Sequence, residues 1–148
     1  MVDRSIAVSA WESLFRAQVA IMRGLAGDFS SQKISFNEYD VMFNLSRQPH
    51  RRIRLRDLNQ HVLLTQPSVS RLVDRLVARG HLHKHSDPTD GRGAIIELTE
   101  AGLTLFRQVA NDHMQSIAER IGQTLSESEL IQLTTLCDKL RRDCPVDE

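Results

Sequence analysis

Long hydrophobic runs are missing from this chain of 148 residues. No stretch approaches the roughly 18 apolar residues of a membrane span. The opening Met1-Val2-Asp3-Arg4-Ser5 lacks the basic region and apolar stretch of a secretory leader. Cysteine is scarce. Cys137 and Cys144 stand seven apart near the C-terminal end, which is no disulfide scaffold, and a cytoplasmic protein without membrane contact is expected. Also lacking are a glycine-rich phosphate loop, a metal-ligand motif and a nucleophile elbow. The Asp/Glu pairs lie on helices whose inward faces are apolar. No enzyme, cofactor or metal centre is expected. Low-complexity segments and internal repeats are missing too. With 41% hydrophobic and 26% charged residues the composition is that of a folded protein. A chain of this length buries enough surface, roughly 68–70%, to fold without staples.

The net charge is zero, with 19 basic and 19 acidic residues, which alone speaks against a polyanionic partner. The distribution speaks for one. Arg51 to Arg92 holds nine basic and four acidic residues, and the remainder ten and fifteen. A middle with an excess of five positive charges, flanked by acidic ends, suits contact with a polyanion. A solvated charged surface is the plain alternative.

Three capping boxes are written in the sequence: Ser9/Glu12, Ser35/Glu38 and Ser126/Glu129. The first predicts a helix over 10–28 with Trp11, Leu14, Phe15, Gln18, Val19, Met22 and Leu25 in one stripe. The second predicts a helix over 36–47, with Phe36, Tyr39, Met42 and Phe43 inward, stopped by Pro49. The third predicts a last helix over 127–142. Between them, Ile53 and Leu55 alternate with arginines in a short strand, and 55–61 is a short helix. Thr65 caps a helix over 66–79 that ends at Gly80. His81–His85 and Ala94–Leu98 pair as a hairpin across an eight-residue turn, 86–93. Thr99 caps a long helix over 100–122. The order predicts a mainly α fold with a small β-hairpin wing, the winged helix-turn-helix arrangement.

On the helix over 66–79, Val69, Leu72, Val73 and Leu76 share one face, which leaves Ser68, Arg71 and Arg75 on the other. An arginine fork can bond two guanine acceptors in the major groove. Gln66, Ser68 and Ser70, near the helix start, suit phosphate. Asp74 would repel phosphate, so it is expected to orient a neighbouring arginine or to accept from cytosine. In the turn, Arg92 can enter a narrow minor groove, with Asp90 holding it extended. Arg54, in the basic run before the short helix, is a further candidate for DNA. A polar bundle surface and a generic turn are the bland alternatives.

The runs Thr65-Gln66-Pro67-Ser68-Val69-Ser70-Arg71-Leu72-Val73-Asp74-Arg75-Leu76, Arg79-Gly80, Asp87-Pro88-x-Asp90-x-Arg92 and Leu98-Thr99-Glu100-Ala101-Gly102 resemble the MarR family of bacterial transcriptional regulators. The match is most specific over 54–102 and extends in helix order over nearly the whole chain. The resemblance implies a regulator, expected to be a repressor, that binds a palindromic operator as a homodimer and is released by a small aromatic or phenolic effector. It puts Ser68, Ser70, Arg71 and Arg75 on recognition-helix positions, and Asp90 and Arg92 on wing-tip positions. His83 and His85 depart from the usual wing pattern. The DNA-binding region is placed at 30–100, and the dimerisation helices at 8–28 and 101–142. Trp11, Leu14, Leu130, Leu133, Leu136 and Leu140 are the expected interface, since these apolar residues exceed one intramolecular stripe. His113, His50 and Arg107 are candidates for an effector pocket.

Other assignments remain open. A winged helix can dock a protein partner instead. His81, His83 and His85, alternating on a strand, could make a metal-responsive wing. Cys137 and Cys144, about 10 Å apart along a helix, are too distant for a bridge unless the end frays or a dimer pairs them. The peroxide-sensing cysteine that some MarR-like proteins carry in their first helix has no counterpart here.

Overall fold

In the computed structural model, which describes residues 1–62 and 66–143 (Gln66 by its backbone only), Asp3 starts the first helix. Its carboxylate accepts from the Ser5 backbone N–H at 2.8 Å. Helix α1 therefore spans Arg4–Asp28, and Ser9 lies inside it rather than capping it. The Ser9/Glu12 pattern misleads because no helix breaker separates it from an adequate cap upstream. The other two boxes form. Ser35 Oγ accepts from the Glu38 N–H at 3.1 Å while Glu38 accepts from the Ser35 N–H at 3.0 Å, starting α2, Phe36–Ser46. Ser126 and Glu129 make the same exchange before α6, Glu127–Asp143.

After α2 the chain turns through Pro49–Arg51, where His50 and Arg51 take φ of 55° and 57°. Left-handed geometry at two residues with side chains delays the strand, so β1 is only Arg52–Arg54. Helix α3 follows at Leu55–His61, and α4 at Gln66–Ala78. The expected cap Thr65, together with Leu63 and Leu64, lies outside the described residues. Gly80, at φ +80°, closes α4. Its N–H reaches the Val77 carbonyl (3.0 Å) and the His81 N–H reaches that of Leu76 (2.9 Å), the paired bonds of a glycine C-cap.

The wing strands are longer than their alternation suggests: β2 is Leu82–Asp87 and β3 is Asp90–Leu98. Only Pro88 and Thr89 turn between them. Gly91 and Gly93 read as loop residues but fall within β3, in the irregular stretch between the Ser86–Ala94 and Asp87–Asp90 pairs. β1 joins as a third strand, so the wing is a three-stranded antiparallel sheet of order β1-β3-β2 rather than a bare hairpin. Arg54 stands opposite Ile95, and His85 opposite the same residue from the other side.

Thr99 caps α5, Glu100–Gly122, by accepting from the Gly102 N–H at 2.9 Å. The core lies where α2, α3, α4 and the sheet meet. Met42, Leu45, Leu58, Val69, Val73, Leu76, Leu82, Ile96 and Leu98 are fully buried there. Leu105, Phe106 and Val109 of α5 cover it. Phe43, expected inward, is exposed beside α5 because α2 buries Tyr39, Met42 and Leu45 instead. α1 buries Leu25 alone, and α6 buries nothing. Asp28 and Arg120 clamp α1 to α5 at 2.9 Å. Among the described residues, no helix is long and apolar enough to cross a membrane.

Candidate nucleic-acid interface

The apolar stripe of α4 decides what it shows to solvent. With Val69, Leu72, Val73 and Leu76 buried, Arg71 and Arg75 stand exposed one turn apart. Among the described residues neither guanidinium is drawn into an ion pair, so both forks are available to an outside acceptor. Ser68 and Ser70 are half-buried beside them. The Gln66 side chain lies outside the described residues. Asp74 orients no arginine. It pairs with Lys84 Nζ of β2 at 3.2 Å, which ties the outward face of α4 to the root of the wing.

The wing turn is organised by a buried carboxylate. Asp87, 5% exposed, accepts at Oδ1 from both the N–H (2.9 Å) and the hydroxyl (2.7 Å) of Thr89. Its Oδ2 lies 3.1 Å from Arg54 Nε, and Arg54 Nη2 donates to Thr89 Oγ1 at 3.0 Å. The Thr89 hydrogen bonds, aided by Arg54 and Arg56, hold the Asp87 carboxyl below its ordinary range. Arg54 thus spends part of its fork inside the wing. Asp90 does not grip the Arg92 guanidinium: it accepts from the Arg92 backbone N–H at 3.1 Å. That fixes the turn and leaves the exposed Arg92 side chain to extend outward.

The three histidines do not line up. His81 precedes β2, bonded by its backbone to Leu76 and Thr99. His83 and His85 are neighbours, 5.8 Å between ring centroids, and His85 Nε2 meets Glu97 at 3.0 Å. That contact, with Arg52 beside it, lowers the Glu97 pKa. Among the described residues no group of three or more His, Cys, Asp or Glu side chains is arranged to hold a metal ion. Cys137 is a half-buried free thiol, and Cys144 lies outside the described residues.

Behind the interface, α2 and α5 enclose a mostly apolar groove of about 620 Å³. Phe36, Tyr39, Phe43, Phe106 and Met114 line it, with His113 and Asp40 among its polar groups. His113 packs edge-on against Phe29, Phe36 and Tyr39 at 5.2, 5.9 and 4.8 Å. Burial lowers its pKa, opposed by the Asp28 charge. Burial likewise raises Asp40. Of the pocket candidates, only His113 lines this groove; His50 and Arg107 are exposed elsewhere.

Sequence reasoning gave Glu38 its capping role but missed its second partner. Only 5% exposed, Glu38 completes the α2 cap with one oxygen and binds Arg79 Nη1 with the other at 2.8 Å, holding the end of α4 against the start of α2. The capping box is visible in the sequence, but the long-range partner has no local signature.

A mainly helical chain that carries a helix with a free arginine face beside a three-stranded antiparallel wing belongs to the winged helix-turn-helix class. Comparison with known proteins narrows the class. A MarR family model matches residues 32–93. The HTH-type transcriptional regulator PecS of Dickeya dadantii (strain 3937) is 29% identical over 132 residues, 88% of this chain and 78% of that protein. Sco3205, a MarR family transcriptional regulator from Streptomyces coelicolor solved in complex with DNA, superposes with a TM-score of 0.78 at 20% identity, covering 95% of this chain and 88% of that one. The organohalide-sensing regulator RdhR-CbdbA1625, in its 2,4-dichlorophenol-bound form, gives 0.75 at 18% identity over 93% and 80%. The chain is thus similar to MarR family transcriptional regulators, in sequence over residues 32–93 and in fold over nearly its whole length.

Proposed function

We propose that the protein binds a palindromic operator as a homodimer, with α4 in the major groove and the wing tip in the adjacent minor groove. The observation that carries this reading is the Asp74–Lys84 pair at 3.2 Å, because it sets the free Arg71/Arg75 face beside the wing that bears Arg92. Arg71 and Arg75 read bases, Ser68, Ser70 and Gln66 position the helix, and Arg92 enters the minor groove. Arg54 braces the turn through Asp87 and adds its remaining donors toward the backbone.

A second copy of the chain covers α1 and α6. α6 is a 17-residue helix with no buried residue. Leu133, Leu136 and Leu140 are exposed by 41, 54 and 55%, and Trp11 by 61%. Leu14 and Leu130 are half-exposed next to them. An amphipathic helix owes most of its stability to packing its apolar face, so these two helices call for a partner surface. A twofold dimer then offers two reading heads to half-sites about 34–36 Å apart.

The groove between α2 and α5 takes a small aromatic or phenolic effector that releases DNA. Its aromatic lining and volume support this reading, and RdhR-CbdbA1625 is a relative by fold that was solved with a chlorinated phenol. Release requires that the effector favour a spacing of the heads that fits the operator less well.

Selection of bound duplexes from a random pool, together with the mass in solution, tests the whole. The expected outcome is a dimer and inverted repeats with half-site centres one helical turn apart. A monomer indifferent to every duplex at low salt overturns it. 2,4-Dichlorophenol is the probe for the groove: it should lower operator affinity in the parent and not in Met114→Trp, whose side chain fills the cavity.

A further inference from the structure

We propose that the cleft between α3 and the root of the wing is a phosphate seat, gripping the sugar–phosphate strand that separates the two grooves. This rests on the DNA-binding reading above and names residues outside it. The cleft measures about 330 Å³, and its walls include Arg54, Arg56 and Asn59 on one side and Lys84 and Arg92 on the other. Asp87 and Asp90 also touch it, yet both are already engaged. Asp87 is answered by Thr89 and Arg54, and Asp90 by the Arg92 backbone. With Arg54 committed to Asp87, three further cations, Arg56, Lys84 and Arg92, line the cleft.

The remaining partners of those cations are weak. Arg56 reaches only Asp57, at 3.9 Å with both side chains largely exposed, and Lys84 reaches the 60% exposed Asp74. Exposed pairs of this kind contribute little, so an anion entering the cleft can take over both cations. Asn59 also lines the cleft. Its Oδ1 is buried and bonded by no described residue, and its Nδ2–H groups are donors suited to a phosphate oxygen.

Position supplies the rest. A major groove and the minor groove next to it are divided by one phosphate strand. Lys84, which neighbours Asp74 of α4, and Arg92, near the wing tip, both line the cleft. In the proposed complex the strand passing between helix and wing crosses this opening. The chemistry recognised is a phosphate, which a DNA backbone or a free phosphorylated small molecule could supply.

The test uses the full chain and a random-sequence duplex, titrated by anisotropy at several salt concentrations. Arg56→Gln and Lys84→Gln should each flatten the slope of log K against log [salt] by about 0.9 for each phosphate no longer neutralised. Both should weaken selected and random duplexes by the same factor, and Asn59→Asp should weaken both as well. Lys139→Gln removes one charge on α6 and should leave the slope alone. Inorganic phosphate and AMP, titrated calorimetrically into DNA-free protein, should give no heat. Heat that disappears in Arg56→Gln would support the seat and move its source to free phosphate. Unchanged slopes in both cleft variants, with parental duplex binding intact, refute the seat and spare the DNA-binding reading. So does an equal change in Lys139→Gln, which would reduce the effect to net charge. A parent that binds neither duplex nor phosphate refutes both.

Discussion

Gly102 sits where the wing, the end of α4 and the start of α5 converge, and a methyl group there should be felt across that junction. A Cβ at this position would lie 2.1 Å from the His81 carbonyl oxygen and 2.9 Å from Leu98 Cδ1. The first neighbour is backbone and cannot rotate away. That carbonyl already accepts from the Thr99 N–H at 3.1 Å and the Thr99 hydroxyl at 3.0 Å, so moving it strains the cap of α5. Relieving the clash needs a shift of about 1 Å between α5 and the chain entering β2, the scale at which overpacking costs about 1–3 kcal/mol. At roughly 3 °C per kcal/mol for a chain of this size, Gly102→Ala should lower Tm by about 3–9 °C. The assay is thermal and urea unfolding followed by circular dichroism, with Gly122→Ala, where a Cβ meets nothing within 4 Å, as control. A Gly102→Ala protein within about 0.5 kcal/mol of the parent, the range of an ordinary surface substitution, would refute the packing argument.

Arg92→Ala should weaken operator binding without changing fold or oligomeric state, and unchanged affinity at fixed salt would remove the wing tip from the interface. Arg71→Ala should relax base preference at a cost of about 1–3 kcal/mol for the bidentate pairing it removes; an equal effect on selected and random duplexes would make it a phosphate contact instead. Arg79→Ala leaves the buried Glu38 carboxylate without its ion-pair partner and should destabilise by about 1–3 kcal/mol, read from the urea midpoint, while Arg79→Lys should recover part of this. His113 has a folded pKa below 6.5, so the unfolded chain binds its proton more readily. Its contribution to stability is whole above that value and fades as pH falls below it. Stability measured between about pH 7 and 5 should drop in the parent and drop less in His113→Phe; equal slopes would show that His113 is not the group responsible.

Much of this is legible because it is local. Ser35/Glu38, Ser126/Glu129, Thr99 and Gly80 carry their roles in the neighbouring few residues, and the helices they bound fall within a residue or two of expectation. Periodicity gives the buried face of α4 and hence the exposure of Arg71 and Arg75. Errors arise where a local signal has competition. Asp3 outranks Ser9 simply by coming first on an unbroken helix. Gly91 and Gly93 disguise the irregular start of β3 as loop, so the turn contracts to Pro88 and Thr89. What escapes entirely is long-range: the β1–β3 register, the pairing of Asp74 with Lys84, and the second partner of Glu38. Which of two cations claims a carboxylate depends on how the elements dock, and no spacing rule encodes that. The α2–α5 groove is anticipated through His113 but not through the aromatic walls that form it.

The third strand stops short, and that has a mechanical result. Pairing with β1 ends at Ile95, so, among the described residues, 86–94 are held by their own ladder and by Arg54, which reaches both Asp87 and Thr89. The finger is a cantilever clamped at its base. Residues could be added or removed near Pro88 without reaching the buried layer, each added ladder position carrying the tip about 3.4 Å farther. The reach of the wing tip is therefore adjustable independently of the body that supports it.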